Sequence, residues 1–493
     1  MKVRVRAAPA PSGSLHVGNV RTFLFNWLYA RHRGGTFVLR IEDTDPSRFS
    51  EDAYQAVLED LRWLGLEWDE GPEVGGPHDP YRQSLRGELY ATRAAQLVES
   101  GSAYRCYCTP EELRQRREQA LAEGRRPGYE GRCRALTPGE IERFEAEGRP
   151  AALRFKVPIA GEIVFHDLVI GRVATALDQI DDFVIVRSDG GVLYNLAVVV
   201  DDAEMAISHV IRGDDLLSNT PKQILLHEAL GADPPSYAHL PQVLGADRKP
   251  LSKRHGSTSV SDFREEGYLP EALVNFLALL GWGTAHDNLL TKRELIERFT
   301  IEDVHPSPAM FETPKLDWMN GEYIRMLDDE DLTRRLEPWY VKAGLVQDDP
   351  SEEERKKIAA ATPLVQTRIK KLSEAPSLVK GLFVEVEMDP AAVAKVMRAA
   401  HVPELIRRSA DALENLDSWG KESVETALRG VAEDMGLKPR TAFGPIYVAI
   451  SGSTVSAPIF DLIALIGKQD SVRRLRVAEA KSRELTAAEA SGQ

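Results

Sequence analysis

The first thirty residues constrain the fold most. Val3, Val5 and Ala7 alternate with Lys2, Arg4 and Arg6 at the period of a half-buried strand, and a Pro9-Ala10-Pro11-Ser12-Gly13 turn follows. Val20, Phe23, Leu24, Trp27 and Leu28 then recur at helical spacing, predicting a helix over 19–33. Strand, tight turn and helix make a phosphate-binding geometry, because the first helical turn leaves backbone N–H groups unpaired and carries partial positive charge. In His16-Val17-Gly18-Asn19 the histidine adds a side-chain donor, and Gly18 leaves the floor bare where a flat base must approach. The rhythm continues with a strand over 36–41 and amphipathic helices over 50–64 and 84–100, the first half of a doubly wound sheet.

Far along the chain, Leu251-Ser252-Lys253-Arg254, preceded by Lys249, puts mobile positive charge in a loop marked by Gly245, Asp247, Pro250 and Gly256. Displacement at the α-phosphorus of a triphosphate spreads negative charge over the pyrophosphate. A cation that closes in as that charge develops favours the transition state over the ground state. Either segment alone has a plain alternative, a helix cap or a solvated basic turn. Together they read as the two ATP-handling halves of one site.

The pair resembles the HIGH and KMSKS signatures of class I aminoacyl-tRNA synthetases. Ile41-Glu42-Asp43-Thr44-Asp45, Tyr81-Arg82-Gln83-Ser84, Tyr194-Asn195-Leu196, Val199-Val200-Asp201-Asp202, Val210-Ile211-Arg212-Gly213 and Asp317-Trp318-Met319-Asn320-Gly321 are similar to the glutamyl-tRNA synthetase family. The likeness runs over nearly the whole chain. It has two departures: Ala10 stands where the family usually has a serine, and Pro250 replaces the first lysine of the Lys-Leu-Ser-Lys-Arg loop.

The resemblance implies an α/β, Rossmann-like class I synthetase catalytic domain with an α+β insertion, followed by an all-α C-terminal anticodon-binding region. The boundaries are a catalytic first half over 1–100, an acceptor-end insertion over 101–188 and a second half over 189–245. A stem-contact domain over 246–325 follows, then helical anticodon domains over 326–390 and 391–493. In the second half the sheet is expected to resume with a strand over 192–196, a helix over 198–205, a strand over 208–212 and a helix over 221–230. Residues 487–493 are expected to fray.

The activity implied is ATP-dependent ligation of L-glutamate to tRNA(Glu) through glutamyl-adenylate, with Mg2+ and release of AMP and pyrophosphate. His16, Lys253 and Arg254 would be catalytic; Pro9, His16, Gly18, Asn19, Ser252 and Lys253 would hold ATP; Arg6, Ala8, Glu42, Tyr194 and Arg212 would hold glutamate. A planar guanidinium can grip a carboxylate with two parallel hydrogen bonds, which gives such a site its charge preference. Glu42, Asp43 and Asp45 crowd carboxylates at a strand end, so a cationic partner is required. In the family an arginine aligned with Arg368 reads the third anticodon base, C for glutamate and G for glutamine. The alternative is a variant that also charges tRNA(Gln). A glutaminyl enzyme would end in β-barrels and a glutamyl-queuosine synthetase would lack anticodon domains, whereas an inert relative would have lost His16, Gly18 and Lys253.

Cys106-x-Cys108, with Tyr129 and Cys133 farther on, resembles a zinc-binding pattern in the insertion of some relatives, although Ala135 stands where a histidine ligand is found. The ligands would be Cys106, Cys108 and Cys133, thiolates suiting zinc, with Tyr129, water or nothing in the fourth position. Only three cysteines occur, which argues against a disulfide framework and suits a reducing compartment. No long apolar run and no signal-peptide core are visible, so a cytoplasmic protein with no membrane association, working as a monomer, is expected. A net charge of −14 does not oppose RNA binding, because a nucleic acid feels the local field within a Debye length. Cations cluster over 114–134, with Tyr104, Tyr107 and Tyr129 as expected stacking surfaces, and again over 355–371.

Overall fold

The computed structural model describes residues 2–45, 49–283 and 288–490, except the side chains of Lys253 and 488–490. The chain divides into two compact units, Met1–Arg264 with Pro270–Thr313, and Glu265–Leu269 with Pro314–Gln493. No helix among the described residues is long and apolar enough to cross a membrane.

The first unit is built on parallel strands. β1 (Arg4–Ala7) runs into α1 (Val17–His32) and returns as β2 (Thr36–Leu39), which pairs with β1 in parallel, Arg6 opposite Val38. The apolar residues of α1 are so evenly distributed that most of the helix is buried, with Phe25 packed edge-on against Phe299 at 5.2 Å. α2 (Glu51–Trp63) starts where the Ser50 hydroxyl accepts the Ala53 N–H, with two acids in its first turn. α3 (Gly87–Glu99) leads to β3 (Ala103–Cys106), α4 (Pro110–Ala122) and α5 (Pro138–Ala146), the last two opened by Thr-Glu capping boxes. β3 pairs antiparallel with β4 (Ala152–Phe155), the middle strand of a sheet closed by β7 (Val184–Val186).

Between those strands lies the hairpin β5 (Glu162–Asp167) and β6 (Gly171–Ala176), which leaves the small sheet and joins the large one. After α6 (Tyr194–Glu204), β8 (His209–Gly213), α7 (Thr220–Ala229) and β9 (Ser236–Leu240), the order across that sheet is β6-β5-β9-β8. The Ser208 N–H donates to the Arg4 carbonyl at 2.9 Å, setting β1 beside the start of β8. Strand order therefore reverses between β1 and β8, the crevice where open α/β sheets bind ligands.

The expected strand over 192–196 is absent: Val192 makes one bridge to Val186 and α6 begins at Tyr194. Leu196 to Val200 are buried without a break, and an apolar run buried on all sides has no periodicity to separate helix from strand. The remaining elements of this unit are β10 (Val243–Leu244), α8 (Val260–Glu266), α9 (Pro270–Leu279), α10 (Lys292–Arg298) and β11 (Ala309–Met310), which pairs with β10.

The second unit is helical. It comprises α11 (Thr313–Met326), α12 (Asp329–Lys342), α13 (Glu352–Gln366), α14 (Ala375–Phe383) and α15 (Pro390–Val396), then α16 (Val402–Glu414), α17 (Lys421–Asp434), α18 (Pro439–Ser451), α19 (Ile459–Ile466) and α20 (Lys468–Ala490). Ser351 and Glu354 cap α13 reciprocally, and an Asn320 amide ties Leu269 to the carbonyl of Lys370. α20 runs on to Ala490, so 487–490 are helical where fraying was expected, and 491–493 lie outside the described residues.

Candidate active site

A cavity of about 460 Å³ opens at the strand-order reversal and is lined by Arg6, Ala8, Pro9, His16, Gly18, Asn19, Glu42, Tyr194 and Arg212. Pro250 and Leu251 complete it from the distant loop. The two motifs are stitched together by backbone: the Val17 N–H donates to the Thr258 carbonyl at 2.9 Å, and the Val260 N–H to the Leu15 carbonyl at 3.0 Å.

His16 caps α1. Its Nδ1 accepts the Gly18 N–H at 3.1 Å, which leaves Nε2 as the protonated nitrogen of a neutral ring. Burial lowers its pKa, with the Leu251 backbone opposing the shift as a hydrogen-bond partner. A Cβ on Gly18 would lie 3.2 Å from that Nδ1, so the crowding neighbour of the glycine is the histidine itself.

The basic loop is braced internally. His255 Nε2 lies 2.9 Å from Asp247 Oδ1 and its Nδ1 accepts the Ser252 N–H at 3.1 Å, while exposed Arg254 pairs with Asp247 at 3.3 Å. Ser252 and Arg254 do not line the cavity, and the Lys253 side chain lies outside the described ones.

Arg6 is buried, not an exposed strand-end arginine, and its Nε donates to Asp202 Oδ1 at 3.1 Å. Fully buried Arg40 bonds the same oxygen at 2.6 Å and Glu42 Oε1 at 3.1 Å. Burial would raise Asp202, but Arg40 and Arg6 bring it down to about 2. Burial also raises Glu42, against the pull of the same two arginines. Asp43 has a different cation, Arg82 at 3.1 Å, so the crowded carboxylates are relieved by separate partners. Arg212 is buried over the Tyr237 ring at 5.6 Å, with Nη1 on Gln223 Oε1 at 2.8 Å. Burial raises the Tyr194 pKa and keeps its hydroxyl protonated. Beside a helix N-terminus, Arg6 and Arg212 offer guanidiniums to an anion and Glu42 a carboxylate to a cation, with Arg21, Asp214 and Asp215 also on the cavity wall.

Sequence reading gave no role to Arg40, Asp202, Thr220, Gln223, His239 or Asp167. Two acids closing the apolar run of α6 were the available signal, since a carboxylate is buried only with a partner.

The cysteines meet elsewhere in this unit. The sulfurs of Cys106, Cys108 and Cys133 lie within 4.8 Å of one another, and Cys108 and Cys133 are 3.6 Å apart. The Tyr129 hydroxyl is 3.4 Å from Cys106 Sγ and accepts the Cys133 N–H at 3.0 Å. Hydrogen bonds from Cys108 and Cys133 lower the Cys106 pKa, and Arg154 Nε donates to its sulfur at 3.3 Å. Three thiols with a hydroxyl and a neighbouring cation fit a tetrahedral metal-thiolate centre.

One expectation about the RNA face is corrected, since Tyr107 is not an exposed stacking surface. Tyr107 is buried in a stack with Phe144 at 5.3 Å, the Tyr104 hydroxyl donates to Asp182 at 2.6 Å, and Tyr129 lies under Arg154. Tyr104 and Tyr129 are half-buried, while Tyr107 packs the insertion. Its arginines are paired locally too: Arg114 with Glu111, Arg125 with Glu123 and Glu130, and Arg134 with Asp182.

Residues 2–318 match the family described as tRNA synthetases class I (E and Q), catalytic domain, and residues 331–479 match an anticodon binding domain. Glutamate–tRNA ligase from Moorella thermoacetica is 44% identical over 96% of this chain and 97% of its own. The chain belongs to the glutamate–tRNA ligases. The ligase from Symbiobacterium thermophilum is 45% identical, covering 96% of this chain and 99% of its own. The crystal structure of a glutamate–tRNA ligase from Elizabethkingia meningosepticum, in complex with its amino acid, is 33% identical. It superposes with a TM-score of 0.86 over 97% of this chain and 99% of that one. As a class I glutamate–tRNA ligase, the chain joins glutamate to tRNA, and the catalytic and helical anticodon regions expected from the sequence are both present.

Proposed function

We propose that the cavity holds glutamate and ATP side by side. Arg6 and Arg212 take the substrate's side-chain carboxylate, Glu42 faces its α-ammonium group, and Tyr194 and Ala8 complete that end. Pro9, His16, Gly18, Asn19, Ser252 and Lys253 take ATP, which enters as its Mg2+ complex. The observation that carries this reading is the convergence of the buried Arg6 and Arg212 guanidiniums and the half-buried Glu42 carboxylate on the cavity walled by His16 and Leu251.

The α-carboxylate of glutamate attacks the α-phosphorus, the bond to pyrophosphate breaks, and glutamyl-adenylate forms. The terminal ribose hydroxyl of tRNA(Glu) then takes the acyl group and AMP leaves. The protein contributes positioning and charge, with His16, Lys253 and Arg254 on the phosphates. Zinc on Cys106, Cys108, Cys133 and Tyr129 would be structural, holding the insertion's strand and turns together. The enzyme acts as a monomer in the cytoplasm and selects tRNA(Glu) through Arg368; no relative supports a variant that also charges tRNA(Gln).

ATP–pyrophosphate exchange in the presence of glutamate and tRNA tests the assignment. Lys253→Ala should slow adenylation roughly 100- to 1,000-fold while leaving glutamate binding intact, the scale of losing one preorganised donor. A variant within about threefold of the parent removes Lys253 from the mechanism.

A further inference from the structure

The cavity's second arginine is held by a buried chain of hydrogen bonds that ends in the β5–β6 hairpin. We propose that Asp167 and His239 are positioning residues for Arg212: Asp167 fixes the His239 tautomer so that Nε2 is an acceptor, and that acceptor sets the guanidinium for the substrate carboxylate. The inference rests on Arg212 taking the glutamate side chain.

Asp167 Oδ2 lies 2.6 Å from His239 Nδ1, and both side chains are fully buried. Asp167 Oδ1 is occupied by the backbone N–H groups of Val169 and Ile170 at 3.0 Å and of His239 at 3.2 Å. Burial lowers the His239 pKa, so the ring is neutral, and the carboxylate takes its single N–H at Nδ1. The lone pair on Nε2 then faces Arg212. Arg212 Nε donates to it at 3.1 Å; Thr220 Oγ1 lies 3.1 Å from it and accepts from Arg212 Nη2 at 2.8 Å.

Nη1 donates to Gln223, so among the described residues three of the five guanidinium N–H groups are engaged. One N–H remains on each terminal nitrogen, the pair a carboxylate needs. Neither Asp167 nor His239 lines the cavity, so both act through Arg212. With the opposite tautomer an Nε2–H would oppose the Arg212 Nε–H, donor against donor, and the guanidinium would have to turn.

Asp167→Asn makes that reversal without a change of volume. Three backbone donors require an oxygen at the Oδ1 position, so the amide nitrogen replaces Oδ2 and donates to Nδ1, leaving the ring proton on Nε2. The KM for glutamate should rise about 10- to 100-fold, the consequence of one lost and one opposed buried hydrogen bond, with the KM for ATP unchanged. Thr220→Val, which removes only the bridging hydroxyl, should raise the same constant about three- to tenfold. Side-chain ¹⁵N NMR of His239 should find the proton on Nδ1 in the parent and on Nε2 in Asp167→Asn, a change that a purely structural role would not produce.

A parent proton on Nε2 overturns the proposal whether or not the variants fold. So does an unchanged glutamate KM in folded Asp167→Asn or in Thr220→Val. Arg212→Ala separates the two levels. An unchanged glutamate KM there removes Arg212 from the substrate; a raised one beside an unmoved Asp167→Asn removes only the positioning.

Discussion

Asp202 carries more of the site than its place at the end of an apolar helix suggests. It is the shared anion of Arg6 and Arg40, residues 196 and 162 positions away in the chain. Its folded-state pKa of about 2, against an ordinary 3.8, means its contribution is complete above 3.8 and is lost as pH falls toward 2. That shift corresponds to about 2 kcal/mol. Asp202→Asn should cost about 3 kcal/mol near neutral pH, because two buried guanidiniums lose a counter-charge. Urea unfolding of parent and variant should show the gap closing between pH 4 and 2; a gap constant with pH rejects this account. At this scale the sequence marked the cavity-lining Arg6 and Arg212 at strand ends, while Glu42 and Tyr194 were singled out through the family resemblance. It hid their supports, because nothing local to Asp167 or His239 says that they meet 72 residues apart.

Among the elements, β1 could be read from its alternation and α1 from its helical spacing, although Val5 to Ala7 of β1 and Phe37 to Leu39 of β2 are buried without a break. α6 could not: its buried valines satisfy strand and helix patterns equally, and only packing decides. The place of the β5–β6 hairpin in the main sheet was not legible, since its partner β9 lies beyond the whole of β7, α6, β8 and α7. The cysteine cluster joins β3 to the turn that holds Cys133, and its spacing was visible in the sequence. Purified protein should contain close to one zinc per chain, and Cys108→Ser should lose it together with several degrees of melting temperature in the insertion. Clearly substoichiometric metal after zinc-supplemented expression would remove the metal, leaving catalysis intact.

For the whole molecule, a net charge of −14 leaves tRNA recognition to local contacts. Arg355, Lys356 and Lys357 each face an acid on or beside α13, whereas exposed Arg368 follows the C-terminal end of that helix. An arginine has only donors, and C offers acceptors at O2 and N3; G also offers O6 and N7, so the shape of the pocket must contribute. Parent enzyme should therefore charge tRNA(Glu) well and tRNA(Gln) poorly, with Arg368→Gln narrowing a gap of about 1–3 kcal/mol. Equal charging by the parent would overturn this. The bridge between His16 and Ser259 has a further consequence, for the chain during its synthesis. A nascent polypeptide can complete β1, α1 and β2 early, yet the adenylate site cannot close until residues 258–260 have left the ribosome to pair with 15–17. Each new enzyme molecule thus emerges with its oldest and some of its much later residues waiting on one another, a long-range closure that makes the catalytic unit intrinsically slow to finish folding.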